Sequence, residues 1–490
     1  MKTYRPWEPD RTYLLPPSTL EWLPEDHLAL FILDVLDELD LGPIEARIQE
    51  KDPRGEKPYS PRMLVALLLY GYSAGVFSSR RLAQATWTDL GARVIAAEEH
   101  PHFTTINRFR LDHHEALGGL FGQILAMCRR AGLVQLGHVA VDGTKIQANA
   151  SKHKAMSYDR MKETEERLKA EVAALLAKAD EVDRAEDAQF GPDNDGSSIP
   201  EELRRRETRI KRIREAKEAL EREAAEARRL ELEEQGSRAR TASAAERDPH
   251  EAAKLARRAE ARDQAAKKVA SSGTNAVPGA QDGLPFHTVP HETDGTPKPK
   301  AQRNFTDSDS RIMQSGGTYV QAYNCQIAVD EENQVIVAQV LTNQPPDYEH
   351  LQPLLEQVRG HLAAVPAQVT ADAGYWSEGN GQFCENGAID AYISTRRRRH
   401  EEPLDGTAPA TPPPNGARTA AGQAMEAKVT SEAGRAVYSK RKWTAEPVFG
   451  SIKEARGFRR FKLRGLRKVR SEFALVCTGH NLLKLWRSAK

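Results

Sequence analysis

The spacing of apolar residues changes character several times along the chain, and each change predicts a different element. Ser60-Pro61 gives a cap followed by proline at the first helical position, and Met63, Leu64, Leu67 and Leu68 then repeat at helical spacing with Tyr70 beyond them. A second helix opens at Ser78-Ser79-Arg80-Arg81-Leu82-Ala83. A third covers Pro101-His102-Phe103-Thr104-Thr105-Ile106-Asn107-Arg108-Phe109-Arg110, with a threonine cap. Residues 20–133 therefore read as a compact helical region within an N-terminal unit 1–132.

From 133 the period shortens. The apolar run Leu133-Val134 to Val139-Ala140-Val141 predicts a short strand ending at Asp142-Gly143-Thr144-Lys145, where a carboxylate is presented at a sheet edge. Helical, highly charged sequence follows. Leu168, Val172, Leu175, Ala179 and Val182 keep a 4-3-4-3 rhythm, and Leu203, Ile210, Ile213 and Leu220 a related heptad, with a Gly/Pro/Asp break at 191–200. The pattern predicts an antiparallel, coiled-coil-like helical hairpin inserted at 151–235, then a flexible linker over 236–300. The outer face of the hairpin suits solvent, DNA or a second subunit.

Strand character returns at 319–329 and 335–341, joined by the acidic turn Asp330-Glu331-Glu332-Asn333 as a hairpin. A helix around 348–359, a strand Ala367 to Ala371 ending at Asp372-Ala373-Gly374-Tyr375, and a short strand at 388–394 complete the series. A loop insertion is expected at 396–436, and basic helices from about Ser439 onward.

Composition sharpens this picture in three places. The 490 residues suit two or three domains and carry a formal net charge of only +1, yet the segment 434–490 holds sixteen Lys/Arg against Glu446, Glu454 and Glu472. Such a local excess is the footprint that phosphate backbones attract. Cys128, Cys325, Cys384 and Cys477 show no CxxC or Cys/His spacing, which leaves neither a zinc site nor a disulfide framework and fits reduced thiols in a cytoplasm. The N-terminus lacks the apolar segment of a secretory signal, and no run of about 18 apolar residues occurs, so neither export nor membrane insertion is expected.

With the helical insertion set aside, the order is strand with acid, hairpin, helix, strand with acid, strand, late helix with acid. That is the order of a ribonuclease H-like core, in which two Asp on adjacent central strands and a later Glu converge. The fold class expected is α/β: a ribonuclease H-like mixed sheet (133–150 and 301–490), an all-α N-terminal DNA-binding domain and the helical insertion. An Asp-Gly pair alone is an ordinary turn signal. Three converging carboxylates, however, supply the hard oxygen ligands and incomplete coordination that a pair of Mg²⁺ or Mn²⁺ ions needs for in-line displacement at phosphorus.

Several motifs in order resemble the DDE transposases of bacterial insertion sequences, in the group with an InsH-like N-terminal domain. They are Thr104 to Arg110, Val141-Asp142-Gly143-Thr144-Lys145, Asp307 to Met313, Tyr323-Asn324-Cys325-Gln326, Asp372 to Ser377, Ala445-Glu446-Pro447-Val448-Phe449-Gly450, Arg456-Gly457-Phe458-Arg459-Arg460-Phe461, Leu463-Arg464-Gly465 and His480 to Leu485. The resemblance implies that Asp142, Asp372 and Glu446 are the catalytic, metal-holding carboxylates, with Tyr438, Arg441 and Lys453 completing a signature around the last acid. The gap from Arg441 to Glu446 is one residue longer than in the wider superfamily, which leaves Lys440 or Lys442 as alternatives. Lys453, seven residues past Glu446, would share its helix face.

The implied partner is double-stranded DNA, both the element's terminal inverted repeats and its target, bound by a homo-oligomer in the bacterial cytoplasm. Expected DNA contacts are Thr105, Asn107, Arg108 and Arg110, the signature residues Tyr438, Arg441 and Lys453, and in the basic tail Arg459, Arg460, Arg464, Arg467 and Lys468. The segment around Thr105 suits the later helix of a helix-turn-helix, and equally an ordinary bundle with solvated arginines. Trp376 and Trp443 flank the acids and fit core packing better than base stacking, and lone His153, His350 and His400 fit structural or solvated roles. A catalytically silent DNA-binding derivative, and a ribonuclease H-like nuclease for hybrids or junctions, remain the other readings.

Overall fold

Val139, Ala140 and Val141 are fully buried, and strand β1 (His138–Gln147) that they begin runs through the middle of a six-stranded mixed sheet. The computed structural model describes residues 18–50, 57–190, 201–270, 283–396 and 419–490, with backbone alone at 178–190 and 201–203. On one side β1 pairs antiparallel with β5 (Thr318–Asp330). On the other it pairs parallel with β7 (Gln368–Ala371), which in turn pairs parallel with β8 (Asp390–Ile393). The far edge of β5 is shared by β4 (Arg311–Ser315) and β6 (Ile336–Thr342). Central strands covered on both faces read as continuous apolar runs, which is why 139–141 and 327–329 show no polar alternation.

The strand order is that of a ribonuclease H-like core, as the sequence pattern predicts. Strand β4 is an addition to it, turned onto β5 by Gly316 and Gly317, both at positive φ. A two-stranded ribbon of β2 (Ala155–Ser157) and β3 (Gln302–Asn304) also lies outside the predicted series. Helix α11 (Leu351–Leu362) covers β5 and β6 with Leu354, Leu355 and Val358.

Among the described residues, seven α-helices precede the sheet: α1 (Leu28–Glu38), α2 (Gly42–Gln49), α3 (Pro61–Ala74), α4 (Ser79–Thr88), α5 (Leu90–Ala96), α6 (Phe103–Asp112) and α7 (His114–Arg130). Proline at the first turn of α3 starts that helix as expected, whereas α6 is capped by His102, whose Nδ1 accepts from Thr104 N, and not by a threonine. These helices share one continuous hydrophobic core with the sheet. The link is the last helix, α17 (Leu466–Ser488), which packs on α3, α7 and β6 and buries Phe473, Leu475, Val476, Cys477 and Leu482. A basic DNA-facing helix is predicted here; instead α17 is a core helix with its cations confined to its ends. Asn481 explains part of its hold, since its amide exchanges two hydrogen bonds with the backbone of Ile336, at 2.8 and 2.9 Å.

The hairpin is present as α8 (Tyr158–Phe190) and α9 (Glu201–Ala245), antiparallel because Tyr158 meets Glu221, Glu165 meets Lys217, and Glu171 meets Arg206. Leu168, Ile210 and Ile213 form its seam, while Ala179, Val182 and Leu203 have side chains outside the described residues. The linker predicted over 236–300 is corrected: α9 continues to Ala245, and α10 (Pro249–Ala270) folds back along it, burying Ala259 and Ala266. Ala, Arg, Glu and Lys favour helix individually, and this propensity decides a stretch whose weak apolar period suggests none. The loop predicted over 396–436 is also corrected in its second half. Helices α13 (Ala420–Thr430) and α14 (Glu432–Ser439) occupy it, N-capped by Thr419 and Ser431; 397–418, with most of the Arg396–Arg399 run and His400, lies outside the described residues.

Glu472 on α17 is fully buried and accepts from the Tyr72 hydroxyl at 3.2 Å and the Leu463 N–H at 2.9 Å, with the Arg110 guanidinium at 4.0 Å. Removing one member of such a set strands the others. Glu472→Ala is expected to lower the unfolding free energy by about 3–5 kcal/mol in urea titration, whereas Arg467→Ala, at a 77 % exposed side chain, should change it by less than about 0.5 kcal/mol.

Candidate active site

Val141 of β1 lies opposite Ala371 of β7 in parallel register, so the next residues, Asp142 within β1 and Asp372 just past the end of β7, stand next to each other. Strands in a sheet are about 4.8 Å apart, close enough for two carboxylates to feel each other strongly. The sequence pattern ends the first strand at Asp142; in fact β1 continues five residues further, and Asp142-Gly143 is strand, not turn. Gly143 is required there by close packing, because a Cβ would lie 2.3 Å from the Gln326 side chain across the strand pair. Asp372 does cap a turn: its Oδ1 accepts from Gly374 N at 2.8 Å.

Glu446 reaches these acids from a helical segment, α15 (Arg441–Thr444) and α16 (Glu446–Gly450), followed by a π-helical turn at Ser451–Ala455. Pro447 sits in the first turn of α16, where a missing N–H costs nothing. Arg441 joins two of the three acids: Nη1 stands 3.8 Å from Asp142 Oδ1 and Nη2 3.4 Å from Glu446 Oε1. The alternatives fall away, since Lys440 is bound to Glu331 at 2.9 Å and Lys442 is exposed. The ring of Tyr438 lies 5.9 Å from the Arg441 guanidinium. Lys453 donates to the Thr144 hydroxyl on β1, and burial pulls its ammonium below the ordinary lysine range while the charge of Asp142 opposes that shift.

A second polar group is centred on Asp347, after β6, and draws its donors from β1 and β5. Asp347 Oδ1 accepts from Lys145 Nζ at 2.8 Å, Asn324 Nδ2 at 2.9 Å and Gln326 Nε2 at 2.7 Å, and the buried Tyr375 hydroxyl donates to Gln326. Asp347 is not among the candidates from sequence, since Pro345-Pro346-Asp347 has the look of any turn. The available signal was Asn324 and Gln326, two polar side chains spaced i, i+2 inside an otherwise apolar strand. Lys145, Asp347, Tyr348 and Gly374 line an open groove of about 610 Å³ next to Asp372.

The expected DNA contacts divide. On α6, Arg108 is 82 % exposed and Thr105 and Asn107 are partly exposed. Arg110, two residues on, points about 200° around the helix and is buried; it donates to Phe77 O, Tyr72 Oη and Asn107 Oδ1. Arg110 is therefore corrected from a DNA contact to a core brace. In the tail, Arg460 donates to Gln147 Oε1 at 2.9 Å and Arg464 to Asn149 O at 3.0 Å, which places both beside the end of β1. Arg459 and Arg467 are paired with Glu454 and Glu115, and Lys468 is exposed. Trp376 packs against the core, whereas Trp443, expected in the core, is 59 % exposed. His350 is a buried partner of Thr342, and His153 is exposed. Asp307 and Asp309 bind the backbone of Gly465 and Leu466 at the start of α17.

Among the described residues no three His, Cys, Asp or Glu side chains are gathered tightly enough to ligate an ion as they stand, and Arg441 lies beside Asp142 and Glu446. The donor set nonetheless suits a hard cation. Burial, followed by the charges of Asp372 and Glu446, pushes Asp142 up to about 6 against the pull of Arg441 and the Gly143 N–H. An acid whose pKa is higher folded than unfolded costs stability above its folded pKa, and that cost vanishes below the unfolded value. In the metal-free protein, Asp142→Asn is thus expected to raise stability at pH 8 by about 2–3 kcal/mol and to leave it nearly unchanged at pH 4, as read from thermal unfolding in chelator.

Residues 286–482 match the family described as transposase DDE domain, and residues 17–112 match the family described as transposase domain (DUF772). Strand β1 lies outside both spans, so Asp142 is attached to the DDE region by sheet register. No curated protein and no solved structure gives a significant match. The ribonuclease H-like sheet and the two transposase matches together place the chain in the DDE transposases of insertion sequences, enzymes of DNA transposition.

Proposed function

We propose that this transposase binds the terminal inverted repeats of its own element, hydrolyses phosphodiester bonds at the element ends and joins the freed 3′-hydroxyls to target DNA. The observation that carries the reading is the register of β1 with β7, which sets Asp142 beside Asp372 while Arg441 ties Asp142 to Glu446. Asp142, Asp372 and Glu446 would hold two divalent ions, Mg²⁺ or Mn²⁺. Bound there, such a pair stabilises the attacking and leaving oxygens of an in-line displacement, and no protein nucleophile is then needed.

The remaining residues prepare the site and hold the strand. Arg441 compensates the acids, and its buried Nε, unpartnered among the described residues, remains a donor for a phosphate oxygen. Lys453 presents a partly desolvated ammonium next to β1, where contact with a phosphate is stronger than in water. Arg460 and Arg464 extend this positive edge along the exit of β1, and with Lys468, Arg459 and Arg467 they would neutralise the duplex backbone. Thr105, Asn107 and Arg108 form the exposed side of α6, suited to a groove or its phosphates. Two ends must be brought together for strand transfer, so the active form is a homo-oligomer on DNA, acting at the nucleoid in the cytoplasm. No single helix among the described residues is long and apolar enough to cross a membrane.

The test is nicking of DNA that carries the element's ends, with Mg²⁺ or Mn²⁺. Asp142→Ala, Asp372→Ala and Glu446→Ala should each reduce nicking to background, and Lys453→Met should slow it by about 10²-fold with binding retained. Undiminished nicking by Asp142→Ala would overturn the assignment. End-binding without nicking would favour a silent derivative, and faster cleavage of RNA–DNA hybrids or junctions than of terminal repeats would favour the other nuclease reading.

A further inference from the structure

Charge is distributed unevenly along α9. Residues 204–214 hold seven Lys/Arg and one acid, Glu207, whereas 215–234 hold eight acids and four Lys/Arg. The acidic part is neutralised largely within the helix: Arg228 pairs with Glu231, and Arg229 with Glu226 and Glu233. The basic part is not. Arg204, Arg209, Lys211 and Arg212 are all exposed, and none has an ion-pair partner among the described residues.

The seam of the hairpin explains where these cations point. Ile210, Ile213, Ala216, Leu220 and Ala224 are buried against α8 and the β2–β3 ribbon, so 204, 211 and 215, and 209 and 212, fall on the outer faces. Leu220 and Ala224 dock beside Tyr158, Val289 and Ala301, close to the body of the protein. At about 1.5 Å per residue, the stripe from Arg212 to Arg204 begins about 12 Å beyond Leu220 and ends about 24 Å beyond it. Like charges three residues apart, such as Arg209 with Arg212, destabilise an isolated helix. A polyanion laid along the outer face would reverse that repulsion.

We propose that the outer face of α9 from Arg204 to Arg212 is a second duplex-binding surface, contacting DNA phosphates at a distance from the acids, outside the segment being cut. This rests on the DNA-joining function proposed above, but it uses residues that take no part in the chemistry. The alternative occupant is a second copy of the chain, whose acidic 215–234 stretch has the opposite charge.

The experiment uses the full chain and a duplex of arbitrary sequence, about 60 bp long, with affinity measured across a salt series by fluorescence anisotropy. Each lost phosphate contact lowers the slope of log K against log salt by about 0.9. The combined variant Arg204→Gln, Arg209→Gln, Lys211→Gln and Arg212→Gln should therefore lower the slope by roughly 3–4 and the affinity at moderate salt by at least about tenfold. Replacing the three arginines by lysine instead should restore both, which separates charge from helix content, itself checked by circular dichroism. An unchanged slope in the glutamine variant overturns the proposal, and so does an unchanged slope accompanied by a fall in sedimenting mass, which would assign the stripe to a second copy. If the parent chain binds no duplex at all, the function proposed above falls together with this surface; loss of the surface alone leaves that function standing.

Discussion

The parallel pairing of β1 with β7 is the constraint on which the site depends. It brings Asp142 of β1 beside Asp372 at the end of β7 and leaves the chain to manage the repulsion that follows. Burial first, and then the neighbouring acids, push Asp142 up to about 6, and Arg441 opposes both by lying between Asp142 and Glu446. Such a site is stabilised less by its own contacts than by the sheet that enforces it. The buried residues on both sides of β1 and β7 keep the register from slipping, since a shift of one residue would turn Asp142 to the opposite face.

The same logic explains why the late helices matter although they carry few reacting groups. Helix α17 fuses the N-terminal helices and the sheet into one core, and Glu472 and Asn481 anchor it from within. Glu446, Lys453 and the cations near the end of β1 all lie on the segment leading into α17, so their placement is inherited from that packing. The π-helical turn at 451–455 is part of this arrangement, since it contains Lys453 and alters the two-turn spacing from Glu446 expected of a regular helix.

Much of the fold was legible because its signals are local. Strands covered on both faces leave unbroken apolar runs, Pro61 and Pro447 mark helix starts, and the 4-3 rhythm of 168–182 marks a hairpin. What escaped depends on tertiary context. Arg108 and Arg110 look alike in sequence, yet only the packing of α6 shows that one is outside and the other is a brace. The helices at 249–270 and 420–436 rest on propensity and capping rather than on an apolar stripe, so a search for periodicity passes over them. Asp347 is invisible for a similar reason, because its three donors come from two strands far from it in sequence.

The central claim is that Asp142, Asp372 and Glu446 form one cation-binding pocket. Diffraction at the manganese absorption edge from crystals of the full chain soaked in Mn²⁺ tests it directly. The account expects anomalous density among these three carboxylates, with the Arg441 guanidinium displaced from its place between them. Density found only at other residues, with Arg441 still bridging the acids, would contradict it.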